Sequence, residues 1–261
     1  MKIFILDSAD QAETCTAKQI IQTVLAKPKS VLGLATGGTM PPVYRRLVLA
    51  HRREEASFAQ VTTFNLDEYV GLDPSHPCSY HYFMKQELLG PAGFNPERTH
   101  LPFGNTKNAI VEADRYEALI HKHGPIDLQL LGIGSNGHIG FNEPTSSFGS
   151  RTRIKTLTKT TRIANQRYFS GSEEAPRYAI TVGIKTILES RRIVLLATGN
   201  TKAAAVAGMI EGPVSAFCPA SALQFHPATT IILDRAAASD LKMHSYYHEV
   251  HPGGEDVHHA N

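Results

Sequence analysis

No apolar run in this 261-residue chain is long enough to cross a bilayer, so the sequence predicts no membrane-spanning helix. Charge of one sign is not in excess either. Lys and Arg total 26 against 24 Asp and Glu, and no basic tail or stripe stands out, which argues against nucleic acid as a partner. Cysteine is scarce: Cys15, Cys78 and Cys218 are an odd, widely spaced set. They fit reduced thiols in a cytosolic protein better than a disulfide framework. Tryptophan is absent, and nothing functional follows from that. Met1 to Asp7 reads as a first strand that meets an acidic residue too early for a signal peptide, so a cytoplasmic location is expected.

What is present is an ordinary globular balance, 42% hydrophobic and 19% charged. Short, nearly continuous apolar runs at 31–35, 61–65, 126–133, 193–197 and 230–233 read as strands covered on both faces. Helical patterns alternate with them. Ser8 with Gln11 opens the first, Pro41 or Pro42 the second, and Asn108 to His121 forms a third with Gly124 just beyond. A further helix is expected from Pro176 through Ile180, Ile184, Ile187 and Leu188, and another from Thr201 to near Gly212. The alternation predicts an α/β fold, a doubly wound, largely parallel sheet with helices on both faces. One domain is expected over 1–250, with a polar, flexible tail over 251–261.

In open parallel sheets, ligands bind beyond the carboxyl ends of the strands. Four segments there carry chemically capable residues. Thr36-Gly37-Gly38-Thr39 joins a strand to a helix, and its glycines, two hydroxyls and the next helix's N–H groups suit an anion; a plain tight turn is the alternative. Asp67-Glu68-Tyr69 places adjacent carboxylates on opposite sides of an extended chain, so one can face the cleft as a general base while the other supports it. Capping of a following helix by Asp67 is the commoner fate of such a residue. Gly132 to Pro144 holds four glycines, Asn136, His138 and Glu143, an irregular loop that displays a histidine with a carboxylate near it. No third close-spaced ligand accompanies that pair, so no metal is expected there. Arg167 and Lys202, the latter beside the Gly199 turn, complete a candidate phosphate clamp.

These motifs, in this order, resemble the glucosamine-6-phosphate deaminases: TGGT, FNLDEYVGL, GIGSNGHIGFNEP, SRTRIKTLT and the Gly-Asn-Thr-Lys turn. The resemblance spans roughly Ile3 to Val250. It implies a modified Rossmann-like fold, shared with ribose-5-phosphate isomerases and 6-phosphogluconolactonases. It also implies conversion of glucosamine 6-phosphate to fructose 6-phosphate and ammonia, in amino-sugar catabolism, without a cofactor or metal. In it Asp67 moves a proton from C2 to C1, and His138 opens the sugar ring, supported by Glu143 and Asn136. Thr36, Gly37, Gly38, Thr39, Arg167 and Lys202 hold the phosphate. Many members have Asp where this chain has Asn136, which removes a charge beside His138. Some relatives are hexamers activated by N-acetylglucosamine 6-phosphate, and Ser146, Arg153, Lys155, Thr156 and Tyr246 match positions of that effector site. A homo-oligomer therefore enters the expectations.

Three rivals stay in view. A lactonase of the same fold needs a phosphate grip and a histidine but no Asp67 base. A sugar-phosphate sensor would carry a DNA-reading helix-turn-helix, for which the sequence shows no room. Metal binding by His244, His248, His251, His258 and His259 is the third; a solvated tail is the expected reading.

Overall fold

The computed structural model describes residues 1–166, 169 and 173–252. Seven parallel strands form the main sheet: β1 (Lys2–Leu6), β2 (Val31–Leu34), β3 (Thr62–Asn65), β5 (Thr99–His100), β6 (Leu128–Leu131), β9 (Ile193–Ala197) and β10 (Thr229–Asp234). Their spatial order is β1-β10-β9-β6-β2-β3-β5. β2, β3, β6 and β9 are buried along their whole length, as expected of strands with helices on both faces, although β3 reads Thr-Thr-Phe-Asn and β6 carries Gln129. The run expected over 126–133 yields a shorter strand, because Gly132 and Gly134 begin the irregular loop.

The helices begin and end where the sequence places its signals. In α1 (Ala9–Ala26), Ser8 accepts the Gln11 N–H, and Ile20 and Val24 line its buried side. α2 (Pro41–Arg52) starts on two prolines, and α4 (Ala109–His123) is capped by Asn108 and stopped at Gly124. α3 (Tyr80–Met84) is short and capped by Ser79, and α5 (Lys159–Gln166), α6 (Ile184–Leu188), α7 (Ala203–Ile210) and α8 (His244–Val250) follow.

One expected helix is wrong in its first half. Tyr178–Thr181 is a strand, β8, and only Ile184–Leu188 is helical. β8 lies between β4 (Asp67–Tyr69) and β7 (Arg153–Thr156) in a separate antiparallel sheet of three strands. Ile180, Ile184, Ile187 and Leu188 do fall at helical spacing. The pairing of Ala179 and Ile180 with two partner strands outweighs that local preference. The small sheet has its own apolar cluster of Tyr69, Phe141, Leu157, Phe169, Ala175 and Ala179. Residues 253–261, most of the expected tail, lie outside the described residues; ahead of them His251 packs edge-on against Phe4.

Candidate active site

Because the main strands are parallel, their carboxyl ends open on one side. A cavity of about 840 Å³ lies there. Its walls come from the loops after β2, β3, β6 and β9, together with α3 and α5. Thr36 to Thr39, Asp67, Asn136, His138 and Lys202 all line it. Four of the segments singled out in the sequence therefore meet. Arg167 lies outside the described residues.

The anion loop works differently from expectation. Pro41 and Pro42 occupy the first helical positions of α2, and proline has no N–H to offer. The Met40 N–H is spent on Gly37 O at 3.1 Å. An anion would therefore be met mainly by the loop's own N–H groups and by the Thr36 and Thr39 hydroxyls. Across the cavity, the Thr198 to Lys202 turn is held by Asp234 at the end of β10, whose two carboxylate oxygens both accept the Gly199 N–H at 3.0 Å.

Asp67 sits on β4, not ahead of a helix, so the capping alternative falls away. It is 5% exposed, and burial, then the neighbouring Glu68 charge, push its carboxyl up to about 8; the Phe141 N–H pulls the other way. Glu68 points away from the cavity and accepts the N–H groups of Tyr69, Tyr80 and His81 at 2.8 to 3.0 Å, with His81 Nδ1 at 2.9 Å. One carboxylate thus faces the cleft while its neighbour fastens the start of α3. Gly140 passes Asp67 with φ of +53°, and a side-chain carbon there would stand 3.3 Å from Asp67 Oδ2.

On the histidine side the hydrogen bonds fix the proton positions. The His138 backbone N–H can only donate, so the Asn136 group 3.2 Å from it is the carbonyl Oδ1. That same oxygen lies 2.6 Å from His138 Nδ1, which must therefore carry a proton, so that in the neutral imidazole the lone pair is on Nε2. The amide Nδ2 of Asn136 donates to Glu143 Oε2 at 2.7 Å, and His138 Nδ1 is 3.6 Å from the same oxygen. Thr161 Oγ1 donates to Glu143 Oε1. Burial pushes the Glu143 carboxyl up. The hydrogen bonds and charge of His138, with those of Thr161 and Asn136, overcome it and hold the carboxyl down at about 2. Gly134 is required beneath the imidazole, since a side-chain carbon there would lie 2.2 Å from the ring.

The family model for glucosamine-6-phosphate isomerases and 6-phosphogluconolactonase matches residues 7–232. The chain belongs to that family. It is 52% identical over 247 residues to a glucosamine-6-phosphate deaminase of Hahella chejuensis, covering 95% of this chain and 94% of the relative. A solved structure described as a monomeric glucosamine-6-phosphate deaminase superposes with a TM-score of 0.89 at 46% identity, covering 92% of this chain and 100% of that one. The 6-phosphogluconolactonase of Trypanosoma brucei shares the fold, with a TM-score of 0.72 at 18% identity.

Several wall residues were missed in the sequence. Tyr80 lines the cavity, its hydroxyl 3.3 Å from that of Tyr69, and burial pushes its phenol well above the usual range. Ser79, the α3 cap one residue earlier, is the local signal that marks it. Thr160, Thr161 and Asn165 come from α5, and no local pattern singles them out.

The remaining sequence candidates lie elsewhere. Arg153, Lys155 and Thr156 share β7, where Arg153 Nη1 donates to Asn142 Oδ1 at 2.9 Å. Burial and then Arg153 hold the Lys155 ammonium below its usual range. The Ser146 hydroxyl is buried with no protein partner, and Tyr246 is exposed on α8. Of the tail histidines, His244 and His248 share α8, while His258 and His259 lie outside the described residues. Among the described residues one group of three metal-capable side chains occurs, His76, Cys78 and Glu173. There His76 Nδ1 accepts the Cys78 N–H at 3.1 Å, so its proton sits on Nε2, facing Glu173 at 2.9 Å. That pairing reads as a tether between two loops, since a metal on Nε2 would force a proton onto Nδ1 against the Cys78 N–H.

Proposed function

We propose that the chain is an isomerising glucosamine-6-phosphate deaminase, releasing fructose 6-phosphate and ammonia. The observation that carries this reading is the meeting of Asp67, His138, the Thr36–Thr39 loop and Lys202 around one cavity. In this scheme the 6-phosphate rests on the loop and Lys202, and this remote grip orients the reacting end. His138 Nε2, the unprotonated nitrogen, takes the proton of the anomeric hydroxyl and delivers it to the ring oxygen as the C1–O5 bond breaks, and Glu143 stabilises the imidazolium formed in between.

Ring opening exposes an aldehyde beside the amine-bearing carbon and acidifies the C2 proton. Asp67 removes that proton as the aldehyde oxygen gains one, giving an enolamine, and returns it to C1 as the amine nitrogen gives up a proton. The C2 imine that results is hydrolysed by water, which supplies the ketone oxygen as ammonia leaves. An acid buried to a value of about 8 is a stronger base than a solvated one and still ionises near neutral pH, which is what proton abstraction from carbon needs.

The test is ammonium release from glucosamine 6-phosphate by the purified protein, run beside hydrolysis of 6-phosphogluconolactone. Ammonium with negligible lactone hydrolysis supports the deaminase; the reverse pattern supports the lactonase and overturns it. The like-charged Arg153 and Lys155 beside each other on β7 also favour an anionic effector. Saturation curves with and without N-acetylglucosamine 6-phosphate test that reading, and identical hyperbolae end it.

A further inference from the structure

We propose that Thr161 is a positioning residue for the His138 end of the site: from α5 it holds the second oxygen of the Glu143 carboxylate, so the seating of α5 over the cavity completes the acid–base chain. The proposal rests on the deaminase reading for its kinetic consequence, though not for its structural one.

Glu143 is 2% exposed, so its lone pairs depend on protein partners. Oε2 faces Asn136 and His138. Among the described residues, Oε1 meets α5 and its cap: Thr161 Oγ1 donates to it, and Thr158 Oγ1 stands 3.4 Å away. Thr158 is nearer to Thr161 Oγ1, at 3.1 Å, and its own oxygen accepts the Thr161 N–H at 3.2 Å, in the manner of a helix cap. Each hydroxyl has one proton to give, so the chain runs from Thr158 to Thr161 to Glu143. Thr161 is itself buried, at 6% exposure, and water has little access to replace it.

The consequence follows from where α5 is tied. Arg162 and Gln166 bond to the 173–175 segment, and His76 joins Glu173 to the loop before α3. Glu143 is therefore gripped from both sides, by its own loop through Oε2 and by a separate helix through Oε1. A carboxylate held at both oxygens cannot rotate, and it keeps its charge where His138 needs it. The hydrogen bond from Thr161 is among the influences that hold the Glu143 carboxyl low.

Thr161→Val, close in shape but without the hydroxyl, tests this together with Thr161→Ser, Glu143→Gln and the Thr161→Val/Glu143→Gln double variant. Thr161→Val is expected to lower kcat about tenfold with KM within about twofold, the share of acid–base catalysis that one charge-assisted hydrogen bond can carry. Thr161→Ser should restore most of it. In the Glu143→Gln background the valine should cost little more, because both changes act through one carboxylate. Independently of any activity, the Glu143 carboxyl titration, followed by 13C NMR with labelled glutamate, should rise by about one pH unit in Thr161→Val. An unmoved titration overturns the proposal, as does a tenfold loss that persists undiminished without Glu143. A wild type that releases no ammonium defeats the deaminase reading alone, since the titration still decides the role of Thr161.

Discussion

Asp67 and Glu143 are buried to a similar degree, 5% and 2% exposed, yet burial leaves one carboxyl near 8 and the other near 2. The difference lies in what surrounds them. Around Asp67 stands a like charge, Glu68, and one backbone N–H. Around Glu143 stand an imidazole, an amide and a hydroxyl, all donors. Desolvation alone would raise both, so the donors decide the ionisation state. In the proposed reaction this division separates a base that must accept a proton from carbon and a fixed anion that must never accept one.

The largest effect should come from removing the base. Asp67→Asn is expected to lower turnover by about three to four orders of magnitude while leaving KM close to wild type, since the phosphate contacts are untouched. Steady-state ammonium assays check it; a loss below about tenfold would assign C2 deprotonation to another group. His138→Gln is expected to cost about a hundredfold on the cyclic substrate and much less on an open-chain analogue. Equal losses on the two would remove His138 from ring opening and leave the comparison between the two regions without its catalytic meaning.

Stability should divide the two acids as sharply as activity. Glu143 has a folded value depressed from 4.5 to about 2, so its contribution is present above about pH 4.5 and is lost as pH falls towards 2. The shift corresponds to up to about 3 kcal/mol. Asp67 has the opposite sign. Its folded value is raised from 3.8 to about 8, so folding favours the protonated form, and stability erodes as pH rises through that window. Asp67→Asn should therefore melt above wild type at pH 8 and level with it below pH 4, whereas Glu143→Gln should melt below wild type at pH 7. Thermal unfolding across pH measures both, and the same sign for the two variants would refute the contrast.

The sequence made one of these regions far more legible than the other. β2, β3, β6 and β9 are legible because strands buried on both faces are mostly apolar or β-branched, and the segments just beyond their ends hold Thr36, His138 and Lys202. The three-stranded sheet was not readable. β4, β7 and β8 have three or four residues each, too few for any period to emerge, and β8 reads locally as the first half of a helix. Yet that sheet fastens the loop that carries His138 and Glu143. Asp67, Thr181 and Arg153 lie opposite one another in register, and they meet the Phe141 N–H, the Phe141 N–H again at 3.1 Å, and Asn142 Oδ1. Thr161 is hidden for a similar reason: its partner Glu143 is 18 residues away, and one of two adjacent threonines in a polar helix announces nothing.

The smallest expected effect is also the one that tests the cause most directly. Asn136→Asp replaces the amide that donates to Glu143 at 2.7 Å with a carboxylate. Glu143 then exchanges a donor for a like charge, which is the situation of Asp67 beside Glu68. Two carboxylates at that distance do not both ionise freely, so the pair should hold a shared proton to higher pH. Activity at the optimum should stay within about threefold, because Nδ1 of His138 keeps an acceptor, while the acid limb of the pH–rate profile moves up by about one unit. An unmoved limb would mean that the donors around Glu143 do not set its charge, and that the opposite states of the two buried acids need another explanation.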